Sequence, residues 1–302
     1  MQQKYFYQLY NLTISSNVEL IDLNKINLDT NHDIVVFSKQ IDNEDELNIN
    51  SHYIFNFEKD KFNMIIKDIA KYSIYNGKLV NIEYSKSSTL DEINLYLLGS
   101  CLGVLLYQRD YLPLHSSSIE TKNGCVFFSG VSGMGKSTTL KSFLKKGYKM
   151  ISDDLVALSF ENQQIHIYPS FPRVKLWEDS ANKLDIDISN LNKIHRDMNK
   201  YSKPIENEIF SNEISKPYIF YEINFTDKND IYIEDVKGVE KINTLLKNTY
   251  RPRYITYLNK NKEHFKQISL LANKLIVKKV YRPKEINTIN EFTNILEKDF
   301  TQ

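Results

Sequence analysis

The sequence predicts an α/β protein in two parts, and three observations predict it. Short segments rich in β-branched and aromatic residues fill the chain up to about residue 88. A strand, a glycine-rich loop and a helix then follow one another between residues 124 and 146. Beyond them, strand and helix patterns alternate to the C-terminus. With 302 residues and 41% hydrophobic content, the chain is long enough for two cores. The boundary falls near residue 88, dividing a small β-rich N-terminal domain, 1–88, from a larger domain, 89–302.

"DIVVFSK", "HYIFNFEK" and "KLVNIEYS" are strand-forming runs with polar breaks between them, and Asn76-Gly77 marks a tight turn. Ser87-Ser88-Thr89 offers helix N-cap candidates ahead of "LDEINLYLLGSCLGVLLYQRD". The apolar run at 95–107 is too short to cross a bilayer and predicts a buried helix. "LPLHSSSIE" and "CVFFSG" flank Asn123-Gly124, a hairpin signal. A helix from Lys136 to about Lys146 ends at Gly147, the position where a left-handed residue closes a helix. "YKMIS", "YIFYEINF" and "DIYIEDV" are strands, with helices near 239–249, 262–274 and 288–299. The polar stretch 182–215 has few apolar anchors and reads as a mobile segment or an insertion.

Composition excludes several function classes. A net charge of +1 creates no field for nucleic acid or anionic membrane. The N-terminus lacks the apolar core of a signal peptide, so the expected location is the cytoplasm. Cys101 and Cys125 both lie in apolar runs and read as buried free thiols, since no CxxC or paired-histidine spacing accompanies them.

The chemistry concentrates in "FFSGVSGMGKSTTL". Three of the nine glycines fall within six residues here, and Gly130 to Ser137 fits G-x-x-x-x-G-K-[ST]. Glycines let the backbone take positive φ and turn N–H groups toward phosphate oxygens. Gly130, Ser132, Gly133, Met134, Gly135, Lys136, Ser137 and Thr138 are the expected nucleotide-binding residues. Lys136 would neutralise β- and γ-phosphate charge, and the Ser137 hydroxyl is a natural Mg²⁺ ligand. "YKMISDDLVAL" then ends a strand in Asp153-Asp154, sixteen and seventeen residues after Ser137. One helix out and one strand back returns this pair to the mouth of the loop. Two carboxylates there can divide the work, one holding Mg²⁺ and the other accepting a proton from an attacking hydroxyl.

The segment "LHSSSIE…GCVFFSGVSGMGKSTTLKSFLKKGYKMISDDLVAL", from about 112 to 160, resembles the catalytic domain of the HPr kinase/phosphorylase family. That family pairs its P-loop with a double aspartate at this short spacing. The resemblance implies a P-loop kinase domain of HPr kinase/PEP carboxykinase-like type, with ATP and Mg²⁺ and a serine acceptor. It implies Asp153 as the base, Asp154 as a metal ligand with Ser137, Lys136 on the phosphates, and His115 beside the base. The family's Glu-x-Arg-Gly-x-Gly signature is absent, its place taken by "HIYPSFPRVKLWEDSA", and the usual N-terminal domain is not evident. This pattern resembles divergent HPr-kinase-like proteins that act on ribosomally made peptides, including lasso-type precursors, so HPr is not the implied acceptor. In "FPRVKLW", Arg173 and Lys175 share a strand face and are candidate contacts to the transferring phosphate or to an acidic substrate, with Arg173 the catalytic candidate.

Trp177 reads as core. His195, Arg196 and Lys200 read as a substrate lid, and "YRPRY" and "YRP" as strand or turn residues with exposed arginines. The expectation is a kinase for a serine or threonine of a peptide or small protein, with homo-oligomerisation left open. A small-molecule kinase or carboxykinase-like phosphotransferase, and a non-catalytic nucleotide-binding peptide regulator, are the alternatives.

Overall fold

The computed structural model describes residues 4–27, 32–58, 60–178, 181, 186–284 and 288–302. It is a mixed α/β structure with several sheets, and the chain divides into two compact units. Unit 1 comprises Met1–Tyr111, Lys175–Pro204 and Tyr254–Asn259, and unit 2 the remainder.

Unit 1 is built on a seven-stranded sheet. Its strands are β1 (Tyr5–Leu9), β2 (Leu12–Ser16), β3 (Ile34–Gln40), β4 (Tyr53–Glu58), β5 (Lys61–Ile66), β6 (Ala70–Tyr75) and β7 (Leu79–Tyr84), in the order β1-β2-β3-β7-β6-β5-β4. Alternation sets the faces: Phe62, Met64 and Ile66 of β5, with Val80 and Ile82 of β7, are buried while their neighbours are not. Tyr10-Asn11 and Asn76-Gly77 carry positive φ at both residues, the backbone that matches the twist of a two-residue hairpin.

Against the sheet lies a helix in three pieces, α1 (Leu90–Tyr96), a π turn (Leu97–Cys101) and α2 (Leu102–Gln108). It falls where "LDEINLYLLGSCLGVLLYQRD" reads as a long, mostly buried helix. Its 19 residues make it the one described helix long and apolar enough to cross a membrane, and 72% of its most apolar window is buried inside the protein. Thr89 caps it, accepting from the Glu92 N–H while the Glu92 carboxylate accepts from the Thr89 N–H.

Arg196 does not stand free as part of a lid. Its Nε and Nη2 grip the two Glu92 oxygens at 2.5 and 2.8 Å, and Nη2 also donates to the Ser87 carbonyl. His195 packs edge-on against Tyr96. Trp177, expected in a core, is 50% exposed with the Lys200 ammonium over its ring. Residues 182–185 of the polar stretch lie outside the described residues, while β15 (Lys200–Pro204) gives its later part a strand.

A stability prediction follows from this pair. Burial works to raise the Glu92 carboxyl, but the Arg196 and Thr89 hydrogen bonds and the Arg196 charge outweigh it and pull it down to about 2. A carboxyl lowered in the folded state stabilises above its unfolded value, and that stability is lost as pH falls from about 4.5 toward 2. The contribution is about 3 kcal/mol at neutral pH. Arg196→Ala leaves a carboxylate only 2% exposed without its cation, at an expected cost of about 2–4 kcal/mol. Urea unfolding at pH 7 and across pH 2–5 checks both: the variant should be weaker at pH 7 and lose less on acidification. Equal stability of the two proteins at pH 7 would refute the assignment.

Unit 2 carries a six-stranded sheet in the order β11-β9-β10-β16-β18-β17. These are β9 (Ser116–Thr121), β10 (Gly124–Ser129), β11 (Met150–Ser152), β16 (Pro217–Thr226), β17 (Tyr232–Asp235) and β18 (Ile276–Pro283). A smaller sheet joins β8 (Leu112–Leu114), β12 (Val156–Glu161) and β13 (Gln164–Tyr168). β10 pairs antiparallel with β9 and parallel with β16, and β16 pairs parallel with β18. Both faces of β10 are buried. Cys125 and Phe127 join one apolar cluster with Leu245, Ile268 and Leu271 of the helices Gly238–Lys247 and Asn261–Lys274. Val126 and Phe128 join another with Leu140 and Phe143 of α3 (Lys136–Lys145) and Phe292, Leu296 and Phe300 of the helix Ile289–Thr301. This sandwiching explains why β10 reads as an unbroken apolar run rather than an alternating one. Both cysteines are free and buried, and burial pushes the Cys125 thiol up.

Candidate functional site

The C-terminal end of β10 delivers the chain into the loop Gly130–Gly135, and α3 starts at Lys136. Gly130, Gly133 and Gly135 all have positive φ, and Gly135 is the residue that caps α3. A glycine loop ending on a helix N-terminus offers several N–H groups to an anion. Ser132 and Gly133 are exposed, while Met134 packs into the cluster with α3 and gives its carbonyl to Arg282 at 3.1 Å. Lys136 is only 8% exposed, its ammonium donating to the carbonyls of Gly130 at 2.8 Å and Val131 at 3.4 Å. Ser137 and Thr138 occupy the first turn of α3, both half-buried.

The double aspartate follows β11 and does come back to this loop. Asp153 Oδ1 accepts from Ser137 Oγ at 3.0 Å and from Ser117 Oγ at 2.7 Å. Asp154 has φ of 74°, a left-handed conformation that a non-glycine residue adopts only where its surroundings hold it. The turn separates the two acids. Asp154 meets His115 instead, whose Nδ1 lies 3.2 Å from the Asp154 carbonyl and 3.5 Å from its carboxylate. His115 sits between β8 and β9, a third of its side chain exposed. Burial pulls its pKa down, against the raising effect of the Asp154 charge, which favours the neutral ring.

Beside the loop opens a cavity of about 420 Å³ lined by His115, Asp154, Gly130–Ser132 and the segment Lys247–Pro252. That segment is fixed from behind. The His115 N–H donates to the Asn248 carbonyl and the Tyr250 N–H to the Pro113 carbonyl. Asn248 accepts from Ser129 Oγ at 2.8 Å and donates to the buried Glu222 carboxylate at 2.9 Å, which also meets the Lys247 ammonium at 3.3 Å. Arg251 turns at positive φ and lays its guanidinium over the Tyr250 ring.

Of the residues named from sequence, the structure therefore gathers the glycine loop, Lys136, Ser137, Asp153, Asp154 and His115. Arg173 opens β14 (Arg173–Trp177), half-buried, and is not among the described residues lining the cavity. Sequence reading passed over Ser117, Lys247, Asn248 and Glu222. It took Arg251 as an exposed turn residue, which it is, without placing it at a cavity. It also took Arg282 as exposed, whereas that guanidinium is half-buried over Phe225 and Phe292. The clustered cations of "KNTYRPR" were the available signal.

No protein-family profile matches the chain, and no curated protein does. Among solved structures, the HPr(Ser) kinase/phosphatase from Coxiella burnetii aligns over 62% of this chain and 95% of its own, at 11% identity and a TM-score of 0.32, a likeness too low to carry an argument.

Proposed function

We propose that the protein is a kinase that moves the γ-phosphate of ATP to a serine or threonine hydroxyl of a peptide or small protein. The observation that carries this reading is the convergence of the glycine loop and Lys136 with two aspartates that face different partners, one the Ser137 hydroxyl and one His115 at the cavity. Loop N–H groups and the start of α3 would hold the phosphates, and the Lys136 ammonium would exchange its loop carbonyls for them.

The oxygen donors beside Ser137 fit Mg²⁺. They are one hydroxyl and one carboxylate, as befits an ion that keeps waters and phosphate oxygens. Among the described residues no group of three His, Cys, Asp or Glu side chains is gathered to bind a metal by protein ligands alone. When bound, Mg²⁺ neutralises charge on the β- and γ-phosphates.

The cavity beside His115 and Asp154, also lined by Lys247 and Arg251, would receive the acceptor hydroxyl. The resemblance of residues 112–160 to the HPr-kinase catalytic domain supports a hydroxyl acceptor, and the missing signature supports a peptide other than HPr. Use of ATP fits the cytoplasm.

The test is incubation with γ-labelled ATP, Mg²⁺ and a serine- and threonine-containing peptide library, read by mass spectrometry. Phosphopeptides are the expected product. A labelled metabolite in cell extract with no phosphopeptide would point to a small-molecule kinase, and nucleotide binding without any transfer would overturn the reading.

A further inference from the structure

Resting on that kinase reading, we propose that Asp153, not Asp154, is the metal-side carboxylate, and that Ser117 is a positioning residue that holds it there. Three observations carry the assignment. First, the hydroxyl that follows Lys136 in the loop already bonds to Asp153, with Ser137 Oγ 3.0 Å from Oδ1. A hydroxyl and a carboxylate that share one hydrogen bond are placed to share one hard cation.

Second, Asp153 is pinned from the neighbouring strand. Ser117 is fully buried on β9, paired in register with Phe128 of β10, and its Oγ donates to the same Asp153 oxygen at 2.7 Å. Two hydroxyl donors on one oxygen fix its direction. If Ser137 turns its lone pairs to a metal, the Ser117 hydroxyl still donates to the carboxylate, which keeps its aim. Groups behind a metal ligand act in this way on affinity without touching the ion.

Third, the left-handed turn at Asp154 sends the second acid elsewhere. Asp154 and His115 line the cavity, whereas Asp153, Ser137 and Lys136 are not among the described residues that do. Asp154, oriented by His115, is then the acceptor-side base. As the acceptor oxygen bonds to the γ-phosphorus, its O–H bond breaks and the proton passes to the Asp154 carboxylate. The bond from the γ-phosphorus to the bridging oxygen breaks, and its electron pair leaves on ADP.

The experiment measures ADP affinity by calorimetry with and without Mg²⁺, for the full chain and for D153N, D154N and S117A. Near-UV circular dichroism confirms folding. In the native protein and in D154N, Mg²⁺ should strengthen ADP binding alike. In D153N that gain should fall by about tenfold or more, and in S117A by several-fold, with metal-free ADP affinity unchanged in each, the range seen when a ligand or its support is lost. Should S117A fail to fold, S117C replaces it, being close to serine in size and a weaker donor. Loss of the Mg²⁺ gain in D154N with its retention in D153N would overturn the assignment. An S117A protein that matches the native one would remove Ser117 from it. A native protein that binds no ADP at all would instead take down the kinase reading and the inference with it.

Discussion

Lys136→Ala is expected to abolish phosphoryl transfer while leaving the fold in place. The side chain is buried at the start of α3 and donates to the carbonyls of Gly130 and Val131, both of them on the loop itself. Truncation removes a cation from the loop, and the cost to stability should stay within the usual range of a point substitution, about 0.5–3 kcal/mol. The loss at the reacting phosphate is far larger. One preorganised donor aimed at developing charge is worth about 10²–10³ in rate. A full positive charge on the β- and γ-phosphates is worth at least that. Steady-state rates on the acceptor peptide, with ATP affinity by calorimetry, check the result. A folded Lys136→Ala protein that transfers phosphate at the native rate would end the assignment of this loop to ATP.

The local features of this site were legible in sequence because local physics writes them. The apolar run "CVFF", the hairpin signal at Asn123-Gly124 and the glycine that closes α3 became β10, its turn and a left-handed residue at Gly147. Thr89 became the helix cap, and the strands "DIVVFSK" and "KLVNIEYS" became β3 and β7, adjacent and parallel. What the sequence hides is contact across long separations. Ser117 reaches Asp153 36 residues away, Ser129 reaches Asn248 over 119, and Arg282 reaches Met134 over 148. Those contacts exist because β11 pairs beside β9, β16 beside β10 and β18 beside β16, an order that hydrophobic periodicity does not encode. Side-chain aim is hidden for the same reason. Alternation along a strand predicts that Asp153 and Asp154 face apart, but the left-handed turn at Asp154, which decides what each one faces, is set by packing around it. Arg196 reads from sequence as part of a substrate lid, and only the fold shows its pairing with Glu92, 104 residues away.

Gly130→Ala is the other substitution expected to have a large effect, and Gly133→Ala is its internal control. Both positions have positive φ, 135° and 90°, so both substitutions strain the backbone, by about 1–2 kcal/mol. The space around them differs. A Cβ at Gly130 would lie 2.7 Å from the carbonyl oxygen of Ile223, whereas one at Gly133 would meet nothing within 4 Å. Ile223 belongs to β16, paired on one side with β10 and on the other with β18, so its backbone cannot retreat without loosening two ladders. The loop must move instead, and with it the N–H groups that would face phosphate. Overpacking adds about 1–3 kcal/mol to the backbone strain. Gly130→Ala is therefore expected to lose about 2–5 kcal/mol in urea unfolding and to bind ATP poorly, while Gly133→Ala loses about 1–2 kcal/mol. Similar losses in the two variants would mean that the close approach of Gly130 to β16 does not set the shape of the loop.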